Sequence, residues 1–194
     1  MMQKKWFQNC IKNKNLVEQI KNIKLIVTDI DGALTNGQIF IGENKQNMGK
    51  NFSTQDGFII DRILQNNLLS IAFLSGRNDN SAKIRANMLG IKNDMCHLGF
   101  CGSKIEKLIE IQKNNNLTKE ETLYFGDDFL DFELKPYVGL FVCPSNTPFY
   151  FQEHADIQVP IDGGNSAFRL LLDLILFAQE KHPFAKKYIE NALK

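Results

Sequence analysis

The sequence predicts an α/β fold, a parallel sheet wrapped by helices, on three observations. Runs rich in β-branched and aromatic residues, "LIVTDI" from Leu25, "LLSIAFLSG" from Leu68, "TLYFG" from Thr122 and "VGLFVCP" from Val138, are continuously apolar, as strands buried on both faces are. Segments with helical spacing of apolar residues lie between them. Alternation of this kind builds a parallel sheet through right-handed crossovers.

Taken in order, a short helix precedes the first strand, and "GQIFIGENKQNMGKNF" reads as two strand-like stretches around a Gly/Asn-rich turn, a β-hairpin flap over residues 38–52. "DGFIIDRILQNN" is helical and leads into the strand from Leu68. "NDNSAKIRANMLG" is a helix closed by Gly90, followed by a short strand near "DMCHLG" and a helix over "SKIEKLIEIQKNNN". Thr118 and Glu121 form a capping-box signature ahead of "TLYFG". "FLDFELK" makes a helical turn stopped by Pro136. "DIQVP" is an edge strand, "NSAFRLLLDLILFAQEK" is a long apolar helix, and residues 183–194 form a tail that docks on this chain or on a neighbour. With no repeat or Pro/Gly-rich boundary, residues 1–194 form one domain with its core over 24–182.

Composition narrows the function. In 194 residues, 43% hydrophobic and 23% charged, Lys plus Arg number 23 against 22 Asp plus Glu, which gives no long-range field for nucleic acid or an anionic membrane. No export signal is visible, and the longest apolar run, from Leu170, contains Asp173 and is too short for a bilayer. Four cysteines without a CxxC pair read as reduced thiols in a cytoplasmic protein.

Ligands of such sheets gather outside the carboxyl ends of the strands. Asp29 and Asp31 follow the first strand, Ser75, Gly76 and Arg77 the second, and Asp127, Asp128 and Asp131 follow "TLYFG". Carboxylates converging there raise one another's pKa unless a cation offsets them, and an all-oxygen site suits a hard ion, Mg²⁺, with an anionic substrate beside it. Alone, "DIDG" reads equally as a strand ending in an Asp-Gly turn. An EF-hand loop is excluded because Gly32 stands at its fourth position, a P-loop because Asn51 follows Lys50, and no G-x-G-x-x-G follows a strand.

The ordered set D-x-D-G-x-L-T at 29–35, S-G-R at 75–77, Lys104 opening a helix and G-D-D-x-x-D at 126–131 resembles the four motifs of the haloacid dehalogenase superfamily of phosphatases. That resemblance implies a Rossmann-like fold and a Mg²⁺-dependent phosphomonoesterase. Carried over by motif, Asp29 is implied to be the nucleophile that becomes an aspartyl phosphate, and Asp31 the acid that protonates the leaving alcohol and then activates water. Asp29, Asp127 and the backbone carbonyl of Asp31 are implied to hold Mg²⁺, and Ser75 and Lys104 the phosphoryl oxygens. Asp128, Asp131 and Thr35 are implied to orient these groups, although Asp131 also reads as an acid on a helix face.

About forty residues separate Thr35 from Ser75 and fewer than about thirty separate Arg77 from Lys104, too few for a cap domain. The capless members with a hairpin after the first motif, the 3-deoxy-D-manno-octulosonate 8-phosphate (KDO 8-phosphate) phosphatases, are similar to this chain in "FSTQDGFII", "GDDFLD", "VGLFVCPSNTPF" and "DGGNSAFRLLLDLIL". The likeness implies a phosphorylated sugar acid as substrate, a role in lipopolysaccharide precursor synthesis, and a homotetramer in which hairpins and tails complete neighbouring sites. Gly76, Arg77, Gln55, Asp56, Gly163, Gly164 and Asn165 are the implied substrate contacts, or else the loop at 163–166 simply starts a helix capped by Ser166. Family members usually have arginine at the position of Gln55, and G-G-R-G where this chain has Gly163 to Ser166; neutral side chains lack the planar fork that grips a carboxylate. A nonulosonate 9-phosphate phosphatase and a non-catalytic assembly module remain alternatives, Arg77 favouring the octulosonate branch and the intact Asp29, Asp31 and Lys104 favouring catalysis. A phosphorylated receiver domain fits less well, its acid pair lying earlier in the chain.

Overall fold

The structure, a computed structural model, describes residues 2–41, 48–100, 102 and 104–193. Its centre is a six-stranded parallel sheet of β1 (Leu25–Thr28), β4 (Ser70–Ser75), β5 (Cys96–Leu98), β6 (Thr122–Phe125), β7 (Leu140–Cys143) and β8 (Ile157–Gln158), ordered β5-β4-β1-β6-β7-β8. Every residue of β1, β6 and β7 is buried, a state these apolar runs reach only with cover on both faces of the sheet. The chain runs outward from β1 to β4 and β5, then returns to pair β6 with the other side of β1. That reversal opens a crevice at the carboxyl ends of β1, β4 and β6, where α/β sheets bind ligands.

The helices are α1 (Met2–Lys12), α2 (Lys14–Asn22), α3 (Thr54–Gln65), α4 (Asn80–Met88), α5 (Lys104–Asn114), α6 (Phe129–Phe132), α7 (Phe149–Gln152), α8 (Ala167–Ala178) and α9 (Lys186–Leu193). The amino-terminal segment is two helices rather than one, because the Asn13 side chain accepts from Leu16 N at 3.2 Å and caps a second start. Trp6 Nε1 donates to Gln158 O at 2.7 Å, so α1 shields the edge strand β8. α4 ends at Gly90 as expected: φ is +74° and Ile91 N returns to Ala86 O at 3.0 Å.

Three local expectations are corrected. Thr118 N does meet Glu121 Oε2 at 2.9 Å, but the pair closes a turn, with no helix between Thr118 and β6. Pro136 does not end the helical turn, because a 3₁₀ turn continues over Lys135–Tyr137. Ser166 precedes α8 at φ +74° without capping it, its Oγ lying 2.9 Å from Ser53 Oγ instead.

β2 (Phe40–Ile41) and β3 (Met48–Gly49) pair antiparallel as the two arms of the hairpin; its tip, 42–47, lies outside the described residues. No cap domain intervenes among the described residues before α3 or between α4 and α5. The tail helix α9 packs on α1 of its own chain, and Gln8 Nε2 donates to Leu193 O at 2.9 Å. Just before it, buried His182 places Nε2 2.9 Å from Asp173 Oδ1, which also takes Arg169 Nε at 2.9 Å, a structural use of histidine. Among the described residues no helix is long and apolar enough to cross a membrane.

Candidate active site

Asp29 leaves β1 with its N–H bonded to Phe125 O at 2.9 Å, so β6 sets the direction in which its carboxylate points. The chain then turns through Gly32 at φ +91°, and a Cβ on that glycine would lie 1.9 Å from Asp127 Oδ2. The glycine of D-x-D-G is therefore required twice, for a left-handed backbone and for space against a carboxylate arriving from β6. Thr35, fully buried, closes the loop by donating from Oγ1 to Ile30 O at 3.1 Å and accepting from Gly37 N at 3.2 Å.

Lys104, at the start of α5, is buried at the centre. Its Nζ donates to Asp29 Oδ1 at 2.8 Å and to Asp131 Oδ1 at 2.7 Å, and lies 3.4 Å from the Tyr124 hydroxyl. Asp131 is fully engaged: Oδ1 also accepts from the Tyr124 hydroxyl at 2.8 Å, and Oδ2 accepts from Asp127 N at 2.9 Å and Asp128 N at 3.3 Å. Asp128 caps α6 by accepting from Phe129 N at 2.7 Å.

Asp29, Asp127 and Asp131 each offer a carboxylate oxygen, all within 4.8 Å of one another. Burial, with the charge of Asp131 adding to it, pushes Asp29 up to about 7, and burial with Asp131 and Asp29 beside it pushes Asp127 up to about 8. Burial alone would lower Lys104, but Asp131 and Asp29 outweigh it and hold the ammonium above its ordinary value. One lysine thus faces three carboxylates, and the buried Asp127 Oδ1 has no hydrogen-bond partner. Such a donor set fits a hard divalent cation between Asp29 and Asp127, and Asp131 has no lone pair left over for it.

Asp29, Asp31, Ser75, Gly76, Arg77, Lys104, Asp127, Asp128 and Asp131 line one open cavity of about 310 Å³, together with Phe129 and Leu130. Ser75 is buried at its floor, its Oγ accepting from Arg77 N at 3.2 Å, and the Arg77 side chain reaches within 3.8 Å of Asp31 Oδ2.

Five expected substrate contacts are not brought into the cavity. Gln55 and Asn165 are exposed outside it. Asp56 is buried, 3% exposed, and its Oδ1 accepts from Arg169 N at 2.7 Å, which makes it a support for α8. A Cβ on Gly163 would lie 1.8 Å from Gly32 O, and one on Gly164 2.5 Å from Asn36 N, so both glycines are needed for close packing under the first motif. Asn146, absent from the sequence-based expectations, ties the same two segments by donating to Gly32 O at 2.9 Å and accepting from Gly163 N at 2.6 Å. Tyr124 was also missed, though a hydroxyl inside an otherwise apolar strand is a visible sign of a buried partner.

The Asp56 geometry has a measurable consequence. Burial pushes its carboxyl from 3.8 up to about 6, and its Oδ2 is buried without a partner. The folded protein therefore holds a proton that the unfolded chain releases, a contribution present below about pH 4 and lost as pH rises through about 6, equivalent to about 3 kcal/mol. Asp56→Asn is expected to raise stability at pH 8 by about 1–3 kcal/mol and flatten its slope between about pH 4 and 6, with KM unchanged. Urea unfolding across that range checks it, and a raised KM with no gain in stability would restore Asp56 as a substrate contact.

A parallel six-stranded sheet without a cap, bearing this aspartate and lysine arrangement at its carboxyl edge, defines a hydrolase of the haloacid dehalogenase superfamily. No family model matches the chain. A curated relative, the 3-deoxy-D-manno-octulosonate 8-phosphate phosphatase KdsC of Haemophilus influenzae, is 35% identical over 167 residues, 84% of this chain and 88% of the relative. The solved cobalt-bound form of the deoxy-D-mannose-octulosonate 8-phosphate phosphatase from Haemophilus influenzae superposes with a TM-score of 0.80 at 31% identity, covering 89% of this chain and 99% of that one. The Moraxella catarrhalis 3-deoxy-D-manno-octulosonate 8-phosphate phosphatase, solved with magnesium, phosphate and KDO, gives 0.81 at 25% identity over 94% and 99% of the two chains. The chain belongs to the KDO 8-phosphate phosphatase family, which makes it a phosphoric monoester hydrolase.

Proposed function

We propose that this protein is a Mg²⁺-dependent phosphatase that hydrolyses KDO 8-phosphate to KDO and inorganic phosphate through an aspartyl phosphate on Asp29, supplying lipopolysaccharide precursor synthesis in the cytoplasm. The observation that carries the reading is the meeting of Asp29, Asp127 and Lys104 at the floor of an open cavity, with Asp127 Oδ1 buried and unpartnered. Asp29, Asp127 and the carbonyl of Asp31 are the groups to hold Mg²⁺, which when bound offsets negative charge on the phosphoryl group.

A free oxygen of Asp29 attacks phosphorus, and the bond from phosphorus to the sugar oxygen breaks as Asp31 gives that oxygen its proton. Asp31 then takes a proton from water, which attacks the acyl phosphate and releases phosphate from Asp29. Lys104, fixed by Asp131, and Ser75 hold the phosphoryl oxygens, and Asp128 keeps the turn that carries Asp127 in place. Arg77 at the cavity mouth meets the sugar acid.

Assembly as a homotetramer belongs to the same reading. Phe40 and Ile41 on the hairpin are 66% and 72% exposed, Phe129 is exposed in the cavity lining, and Phe149 and Tyr150 are exposed on the ring cluster that Phe151 joins to Phe129, surface that a neighbouring copy would cover.

Phosphate release from KDO 8-phosphate, a nonulosonate 9-phosphate, a hexose 6-phosphate and p-nitrophenyl phosphate tests the reading. With Mg²⁺, kcat/KM for KDO 8-phosphate is expected to exceed that of the other sugar phosphates by about tenfold or more, and EDTA to abolish release. Preference for the nonulosonate ester would move the substrate assignment, and no release from any ester with any metal would make the protein an assembly module.

A further inference from the structure

Lys50 stands one residue beyond β3, yet its side chain is completely buried. Its Nζ donates to Asp31 Oδ2 at 2.8 Å, lies 2.7 Å from Asp31 Oδ1, and pairs closely with Asp79 Oδ2. Asp79 is itself immobilised as the cap of α4, where Oδ1 accepts from Ala82 N at 2.9 Å and from Ser81 Oγ at 2.7 Å. A rigid chain of contacts therefore runs from the start of α4 through the end of the flap to the carboxylate at the cavity mouth.

Lys50 does not line the cavity, so it has no access to a phosphoryl group. The motif resemblance gives neither Lys50 nor Asp79 a role. A buried ammonium needs paired carboxylates, and here the pair consists of one structural acid and one cavity acid. Arg77, on the solvent side, comes only to within 3.8 Å of the same carboxylate, and its own side chain is 45% exposed, so it is a weaker restraint.

We propose that Lys50, anchored by Asp79, is a positioning residue that fixes the Asp31 carboxylate toward the leaving-group oxygen. The inference rests on the reading of Asp31 as the proton donor. In the step concerned, the phosphorus–oxygen bond breaks, its electron pair stays on the departing oxygen, and the proton on Asp31 moves to that oxygen. Lys50 keeps its own proton throughout. Without Lys50 the Asp31 side chain is free to rotate away from the ester, and proton delivery loses its geometry.

The test compares kcat/KM, which reports the steps up to departure of the first product, for KDO 8-phosphate and p-nitrophenyl phosphate with Mg²⁺ present. The alkoxide needs a proton to leave, whereas p-nitrophenolate does not. Lys50→Met is expected to lower kcat/KM for the sugar phosphate by about a hundredfold and for p-nitrophenyl phosphate by less than about fivefold, within the range of general acid catalysis. Lys50→Arg is expected to recover part of the loss, and Asp79→Asn to show the same selectivity at about tenfold. Should Lys50→Met fail to fold, Asp79→Asn and Lys50→Arg, which keep a cation in place, carry the comparison. Equal losses on both esters, with Asp31→Asn showing the selective loss, would overturn the positioning role and leave the phosphatase reading standing. Asp31→Asn losing equally on both esters would instead remove Asp31 as the donor, and the inference with it.

Discussion

Replacing Asp29 by asparagine is expected to lower kcat on every phosphate ester by on the order of 10⁴-fold or more, with the fold intact. The amide keeps the size of the side chain and still offers Lys104 an oxygen, so the contact now 2.8 Å long survives. It cannot attack phosphorus, and among the described residues the two carboxylates beside it are not free to take over. Asp131 has both oxygens engaged by Lys104, Tyr124 and two backbone N–H groups, and the Asp127 carboxylate packs against Gly32. The substitution also relieves a cluster in which burial and neighbouring acids push Asp29 up to about 7 and Asp127 up to about 8. Without metal, the variant is therefore expected to unfold no earlier than the wild type on heating, while Mg²⁺ raises its midpoint less. Steady-state rates and thermal melts with and without Mg²⁺ check both halves. Activity within about tenfold of wild type would remove Asp29 as the nucleophile.

Lys104→Met carries the second large effect, on stability and rate together. The ammonium is the only cation in direct contact with Asp29 and Asp131 among the described residues. Removing one partner of a buried ionic group leaves the others uncompensated and costs about 3–5 kcal/mol. The expected outcome is a loss of that size in urea unfolding at pH 8, partly restored by Mg²⁺, which supplies positive charge to the same cluster. Catalysis falls by on the order of 10³-fold, because the phosphoryl oxygens lose a fixed charge at the cavity floor. Stability within about 1 kcal/mol of wild type would show that the carboxylates had already been neutralised by protons rather than by the lysine.

Much of this arrangement is legible in the sequence because its parts are tied to strand ends and helix starts. Asp29, Ser75 and Asp127 each stand within two residues of a strand's carboxyl end, and Lys104 opens α5. Once the runs from Leu25, Leu68 and Thr122 are read as parallel strands, these residues share one rim whatever the loops between them do. Lys50 has no such tether. It stands in a Gly/Asn-rich stretch, and its burial depends on the hairpin folding back so that Asp31 and Asp79 meet one ammonium.

Local patterns do not carry what tertiary packing decides. Gly163 and Gly164 next to an apolar helix suggest a ligand loop, and the structure adds that the backbone of 32–36 passes too close to both for any Cβ. Asp56 looked available in "FSTQDGFII", since helix phase alone does not reveal that α8 begins on top of it. The four residues of α7 went unseen because the aromatic run of Phe149, Tyr150 and Phe151 has no period distinguishing a helical turn from a loop.

The central claim is that phosphorus is transferred to the carboxylate of Asp29, and trapping that intermediate tests it most directly. Excess enzyme is mixed with KDO 8-phosphate and Mg²⁺, quenched in acid within one turnover, reduced with borohydride and digested for mass spectrometry. The expected result is homoserine, the reduction product of an aspartyl phosphate, at position 29 and at no other aspartate. Homoserine at Asp31 or Asp127, or none from enzyme that releases phosphate at its full rate, would contradict the account.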